Sequence, residues 1–208
     1  MNTTVNLGMD VEMSAAACRA AAYKTLCELS VDRGYTTEMP LVADRDLEAH
    51  VETTPVIVAA TAEGLRVCVY LLGYKKVNVG VVRTVVAAAA EAEAAAVVIF
   101  VCVGITPSAT QELYAAFPGR MEVFKTRELI RNVTHSRRYT PHVALDATET
   151  SNLKRSRNLK DEDLPLISAR DAVVRYFGFP DKAVIHTVRH WKGLPPMDYY
   201  RIVARIQD

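Results

Sequence analysis

No CxxC pair, no GxSxG or HExxH string and no glycine-rich phosphate loop with its lysine occur in this sequence. The missing loop excludes a P-loop nucleotide site, and the missing strings remove common hydrolase and zinc-protease signatures. Cysteine is scarce, with only Cys18, Cys27, Cys68 and Cys102. Cys18 and Cys27 lie about 900° apart on a helix, so they face opposite ways and cannot share a metal. Each of the four sits in an apolar or alanine-rich run, as buried free thiols do. That predicts a reducing compartment and no disulfide framework. The start, "MNTTVNLGMD", lacks a basic segment followed by an apolar core, so no signal peptide is expected. The longest apolar stretch, 85–103, contains Glu91 and Glu93. It divides into a helix and a strand more naturally than it spans a membrane. His186 and His190 have metal-ligand spacing for a helix. "AVIHTVRHW" alternates like a strand, which sets them about 13 Å apart. No metal and no cofactor are expected.

What is present is ordinary globular composition: 208 residues, 50% hydrophobic and 24% charged, with a net charge of +1. The charge is unevenly spread. Residues 1–60 carry 4 Lys/Arg against 9 Asp/Glu, whereas residues 120–160 carry 10 against 4. The basic stretch suits a polyanion or an acidic partner, or a solvated surface.

The first part reads as an α/β layer domain. A helix over 12–33 ends at "DRGY", where Gly34 suits a C-terminal cap. A short helix is expected over 43–52. "PVIVAAT" and "LRVCVYLL" are strands joined by "AEG". "VNVGVVRTVVAAAAEAEAAA" holds a short strand and a helix, and "VVIFVCV" reads as a strand covered on both faces. A helix over 107–116, the strand "MEVF" and a helix "TRELIRN" follow. Composition changes near 140. "RRYTPHVALDATETSNLKRSRNLKDED" reads as a linker with a poorly amphipathic helix. The remainder has one helix candidate (171–177) and two strands (183–189 and 199–206).

In "VVIFVCVGITPSATQEL", Thr106 is a good N-cap and Pro107 fits the first helical position. With Ser108 they form a small polar helix end that can approach one anionic oxygen without enclosing it. An α/β domain with a basic side could also be a nuclease. The central strands, however, supply none of the carboxylates and lysine that would hold Mg²⁺, although Glu63 sits in the turn and Lys75 and Lys76 follow.

"LPLI" (164–167), "DAVVRYFGF" (171–179) and "YYRIV" (199–203) resemble LP-x-I, DPVxRYxG and YxTYRLV. Those segments belong to the C-terminal assembly domain of the fifth common subunit of eukaryotic DNA-directed RNA polymerases, a family with an archaeal counterpart. "DRGY", "GITPSATQEL" and "FKTRELIRNVT" are similar to further segments of that family. The resemblance covers nearly all of the chain beyond the first dozen residues. It implies an α/β jaw domain, restriction-endonuclease-like in fold, over 1–140, and a small α+β assembly domain over 141–208. It also implies a non-catalytic structural subunit in the nucleus, with no membrane association. The jaw would lie beside downstream duplex DNA, touching its backbone through Thr106, Pro107 and Ser108. The assembly domain would pack on the largest polymerase subunit, beside other subunits, through Arg175, Tyr176, Trp191, Tyr199, Tyr200 and Arg201. Alternatives are a stand-alone nuclease-like enzyme and a transcription adaptor sharing the fold. The chain departs from the family at "HWKGLP" (190–195), followed by Pro196, where a "PSETAG" type loop is usual. It departs again at Lys182, in place of a turn glycine, and at Ala172, in place of proline. Such a pattern suits a divergent paralogue or a divergent lineage. The polymerase class it serves is left open.

Overall fold

The computed structural model describes residues 4–5, 13–37, 56–61, 63–64, 66–71, 76–90 and 95–205. The chain forms two compact units that meet between Arg131 and Asn132. The sequence predicted a boundary at 140/141. Residues 132–140 instead keep their contacts with the second unit, beginning with Asn132, whose amide bonds Tyr176.

In the first unit β1 (Thr4–Val5) pairs with β2 (Met13–Ser14), and α1 (Ala15–Asp32) follows. A five-stranded sheet runs in the order β3 (Thr36–Thr37), β4 (Val56–Ala60), β5 (Arg66–Leu71), β6 (Ala95–Cys102), β7 (Met121–Lys125). The β3–β4 and β4–β5 pairs are antiparallel, and β4–β5 is the expected hairpin. The β5–β6 and β6–β7 pairs are parallel. Parallel neighbours need crossovers, which α2 (Val79–Ala90) and α3 (Pro107–Ala116) supply. The helix expected over 43–52 lies outside the described residues.

From Val67 to Leu71 and along β6 the central strands are apolar, as strands covered on both faces are. Cys68, Tyr70, Val98, Phe100 and Cys102 pack against Val82, Ala109 and Leu113 of the two crossover helices. Val67, Val69, Leu71, Ile99 and Val101 point the other way and are also buried. Burial holds the thiols of Cys18, Cys68 and Cys102 above their usual pKa, and all four cysteines are free.

Local chemistry explains the limits of α1. The Ser14 hydroxyl accepts from Ala17 N at 3.0 Å. At the other end Gly34 adopts φ +71, and Tyr35 N donates to Ser30 O at 2.8 Å, closing the helix as a glycine cap does. Arg33 then turns onto β7. Its two terminal nitrogens donate to Glu122 Oε1 and Oε2 at 2.9 and 2.8 Å, a bidentate pair with the Arg33 side chain only 3% exposed. Burial opposes the Arg33 charge, but the Glu122 contacts outweigh it and the guanidinium pKa is raised. The helix expected over 126–132 stops as α4 (Thr126–Leu129). The side chain of Asn132 then caps a 3₁₀ turn, Val133–His135, by accepting from Thr134 N. Asparagine offers the backbone this alternative to a continuing helix.

The second unit is a four-stranded sheet in the order β8 (Val143–Ala144), β10 (Val184–Arg189), β11 (Met197–Ala204), β9 (Leu166–Ser168). The β9–β11 pair is parallel and the other two are antiparallel. One face packs Ile185 and Val203 against Ile167 and Val174, the last from α6 (Ala172–Phe177). The other packs Val184 and Ile202 against Leu164 and against Leu153 of α5 (Ala147–Arg157). The weak amphipathicity of α5 is real, since Leu153 is its one buried residue among those described. Its start is fixed instead by a reciprocal cap between Asp146 and Glu149. Among the described residues no helix is long and apolar enough to cross a membrane.

Lys182 stands at φ +65, in the turn that Ala183 N closes onto Pro180 O at 3.2 Å. A side chain in that region costs about 1 kcal/mol, and glycine returns part of the relief as unfolded-state entropy. Lys182→Gly is therefore expected to stabilise the protein by roughly 0.5 kcal/mol, raising its melting midpoint by about 2 °C. A lower midpoint in calorimetry would show that the lysine side chain contributes more than its backbone costs.

Candidate functional site

Six residues of the second unit were expected at its assembly interface: Arg175, Tyr176, Trp191, Tyr199, Tyr200 and Arg201. The structure separates them. Tyr176 is 3% exposed, and its hydroxyl accepts from Asn132 Nδ2 at 3.0 Å. Buried in this way, its side chain presents little surface to a partner. Arg175, next in the helix, is half-buried. The helix itself forms as expected: Asp171 Oδ1 accepts from Val173 N at 2.8 Å and from Val174 N at 3.3 Å, and Gly178 ends it at φ +67.

Strand alternation divides the rest. Neighbouring residues of a strand point to opposite faces, so Tyr199 and Arg201 share one face while Tyr200 lies on the other. On the Tyr200 face, its ring stacks on His186 at 4.9 Å and carries the Arg157 guanidinium 5.0 Å from its centroid. His186 Nε2 reaches Asp198 Oδ1 at 2.8 Å. His186 thus has a carboxylate partner, and among the described residues no group of three or more His, Cys, Asp or Glu gathers to hold a metal.

On the other face the Tyr199 ring contacts two cations. Arg189 sits 4.4 Å and Arg201 5.0 Å from its centroid. Each contact draws a guanidinium to the electron-rich face of the ring. Arg189 was not singled out from sequence. In a strand it reads as one more solvated charge, and only the cross-strand register, Thr187 opposite Tyr199 and Arg189 opposite Met197, brings it to this ring. Arg138 and His142, from the segment leading to β8, line a depression together with Arg189 and Arg201.

The rewritten loop is the hairpin tip between β10 and β11. Leu194 N donates to Trp191 O at 3.1 Å, and Gly193 takes φ +83 at the third position of this four-residue turn, as a type II turn requires. Trp191 is 45% exposed, with Leu194 and Met197 also exposed nearby in the chain. The tip therefore presents a large aromatic and two aliphatic side chains to solvent.

In the first unit, Thr106 caps α3 as expected. Its hydroxyl accepts from Ala109 N at 3.3 Å, and Pro107 occupies the first turn. The approach to this cap is pinned by Val77 N donating to Gly104 O at 2.8 Å and Thr106 N donating to Val77 O at 3.1 Å. Pro107 and Ser108 are exposed.

Residues 131–203 match the family model described as RNA polymerase Rpb5, C-terminal domain. Over 201 residues the chain is 28% identical to the DNA-directed RNA polymerases I, II, and III subunit RPABC1 of Caenorhabditis briggsae. The same identity and span relate it to the protein of that name in Caenorhabditis elegans. Both alignments cover 87% of this chain and 93% of the relative. It is also 27% identical over 120 residues to the DNA-directed RNA polymerase V subunit 5A of Arabidopsis thaliana, which covers 58% of this chain and 54% of that one.

Proposed function

We propose, from the match of residues 131–203 to the family model of the RNA polymerase Rpb5 C-terminal domain, that this chain is a structural subunit of a DNA-dependent RNA polymerase. The observation that carries the reading is the extent of the similarity. The domain match spans nearly all of the second unit, and the relatives align over almost their whole length. In this reading the chain acts in the nucleus and has no catalysis of its own. The first unit is a jaw of restriction-endonuclease-like fold beside downstream duplex DNA. The second unit seats on the largest polymerase subunit. Its exposed Trp191 and the cation-flanked Tyr199 are the kinds of side chain that anchor interfaces. The exposed end of α3 at Pro107 and Ser108 lies against the DNA backbone, where contacts position the duplex without reading its sequence.

Purification of the tagged protein from its native cells tests this. The two large polymerase subunits should come down with it in equal amounts, and no Mg²⁺-dependent DNA cleavage should accompany the isolated chain. Absence of polymerase subunits from the wild-type preparation would end the reading. The same complex tests the helix end. A glutamate in the first turn suits the helix dipole but repels a phosphate. Ser108→Glu should therefore assemble normally and shorten the lifetime of the elongation complex at low salt, with the difference shrinking as salt rises. Equal lifetimes at both salt concentrations would place this helix end away from DNA.

A further inference from the structure

A depression of about 340 Å³ lies between the segment 133–142 and the Tyr199 face of the second unit's sheet. Arg138, Arg189 and Arg201 line it, with Tyr139 and His142. The carboxylate on its wall, Asp171, already caps α6 through Oδ1. Among the described residues none of the three guanidinium groups pairs with a carboxylate. Three fixed positive charges thus meet one committed negative charge. Two of them are held against a single ring, where they repel each other while each gains a contact with the ring. A guanidinium oriented in this way loses little freedom when it grips an oxyanion, and an anion in the depression would relieve the repulsion.

The surroundings select the kind of anion. The depression has room for a side chain or two, and duplex DNA would instead need an extended basic stripe. Directly across the strands, Met197 pairs with Arg189, so the basic wall passes into the apolar tip carrying Trp191 and Leu194. Facing residues of an antiparallel pair share a face. We infer that this pocket receives a carboxylate side chain from an acidic polypeptide segment whose neighbouring residues are apolar. The partner's identity, a polymerase subunit, rests on the reading above. The chemistry of the pocket does not.

The test uses the full chain and a fluorescein-labelled decapeptide of eight glutamates and two leucines, followed by anisotropy at low salt. Binding is expected, and it should weaken as salt rises. The Arg189→Gln/Arg201→Gln variant should bind at least tenfold more weakly. Arg201→Lys, which keeps the charge but loses the fork, should fall between. Arg155→Gln, an exposed change on α5, should bind as the wild type does. A decapeptide with glutamine for glutamate should not bind. If the double variant melts early, Arg138→Gln, on the exposed segment before β8, carries the test with an expected loss of about threefold. The inference is overturned if the glutamine peptide binds equally well or if the variants bind as tightly as wild type. Preferential binding of a duplex oligonucleotide, or full displacement by low-millimolar inorganic phosphate, overturns it as well. Copurification separates the two readings. Wild-type protein that binds the peptide but recovers no polymerase subunit ends the polymerase reading and keeps the pocket. Double variant that still recovers the large subunits keeps the polymerase reading and removes the pocket from assembly.

Discussion

Glu122→Ala is expected to destabilise the first unit by about 3 kcal/mol, the lower end of what removing one partner from a buried ion pair costs. The cost falls on Arg33. Its side chain is 3% exposed, and both terminal nitrogens point at the Glu122 carboxylate. Without that carboxylate the buried guanidinium loses a bidentate pair, although other contacts, such as the Tyr35 hydroxyl at 3.3 Å, remain. Glu122 itself is 29% exposed, so the lost Coulombic attraction is partly screened and the upper end of the range is not expected. Replacing both residues together, Arg33→Met with Glu122→Leu, should recover most of the loss, because no charge is left stranded. Urea unfolding followed by circular dichroism checks both variants. A single mutant within 1 kcal/mol of wild type would mean that water reaches Arg33 once the pair is broken.

Asn132→Ala should be nearly as damaging to the second unit. One buried side chain there makes at least three hydrogen bonds. Its Oδ1 accepts from Thr134 N and Oγ1, both at 2.8 Å, and its Nδ2 donates to Tyr176 at 3.0 Å. Buried groups left without partners cost about 1–3 kcal/mol each. Thr134 is only half-buried, so water replaces part of its loss, and a total of about 2–3 kcal/mol is expected. Tyr176→Phe removes one of these bonds and should cost about 1 kcal/mol. Thermal unfolding of the two variants decides the matter. Equal effects would mean that the Tyr176 bond carries the whole contribution and that the cap on Thr134 is neutral.

Elements with a local cause were legible in the sequence. Helix 107–116 is bounded by Thr106 and Pro107, whose chemistry is complete within four residues, and its limits agree with the structure. The α1 glycine cap and the continuous apolar run of β6 are of the same kind. What escaped depends on partners distant in the chain. β8 has two residues and β9 three, too few to show a period, and each exists through pairing with β10 or β11. The candidate residues are divided by the same kind of cause. Tyr199, Tyr200 and Arg201 are adjacent in sequence, which suggested one patch, but the pleat sends Tyr200 to the other face. Arg189 joins Tyr199 only through cross-strand register. Tyr176 is a polar residue in an apolar string, and its buried partner Asn132 lies outside that string.

The order of strands in the second unit also bears on how the unit comes into being. β11 lies between β9 and β10 and is the last of the four to be synthesised. Until residues 197–204 have left the ribosome, β9 has no neighbour and β10 has only the two-residue β8. A nascent chain halted before that point therefore holds Ile167, Val184 and Ile185 without the strand that covers them. Such unpaired edges and uncovered apolar side chains invite aggregation. The sheet of the second unit therefore cannot complete its pairing before residues 197–204 are available.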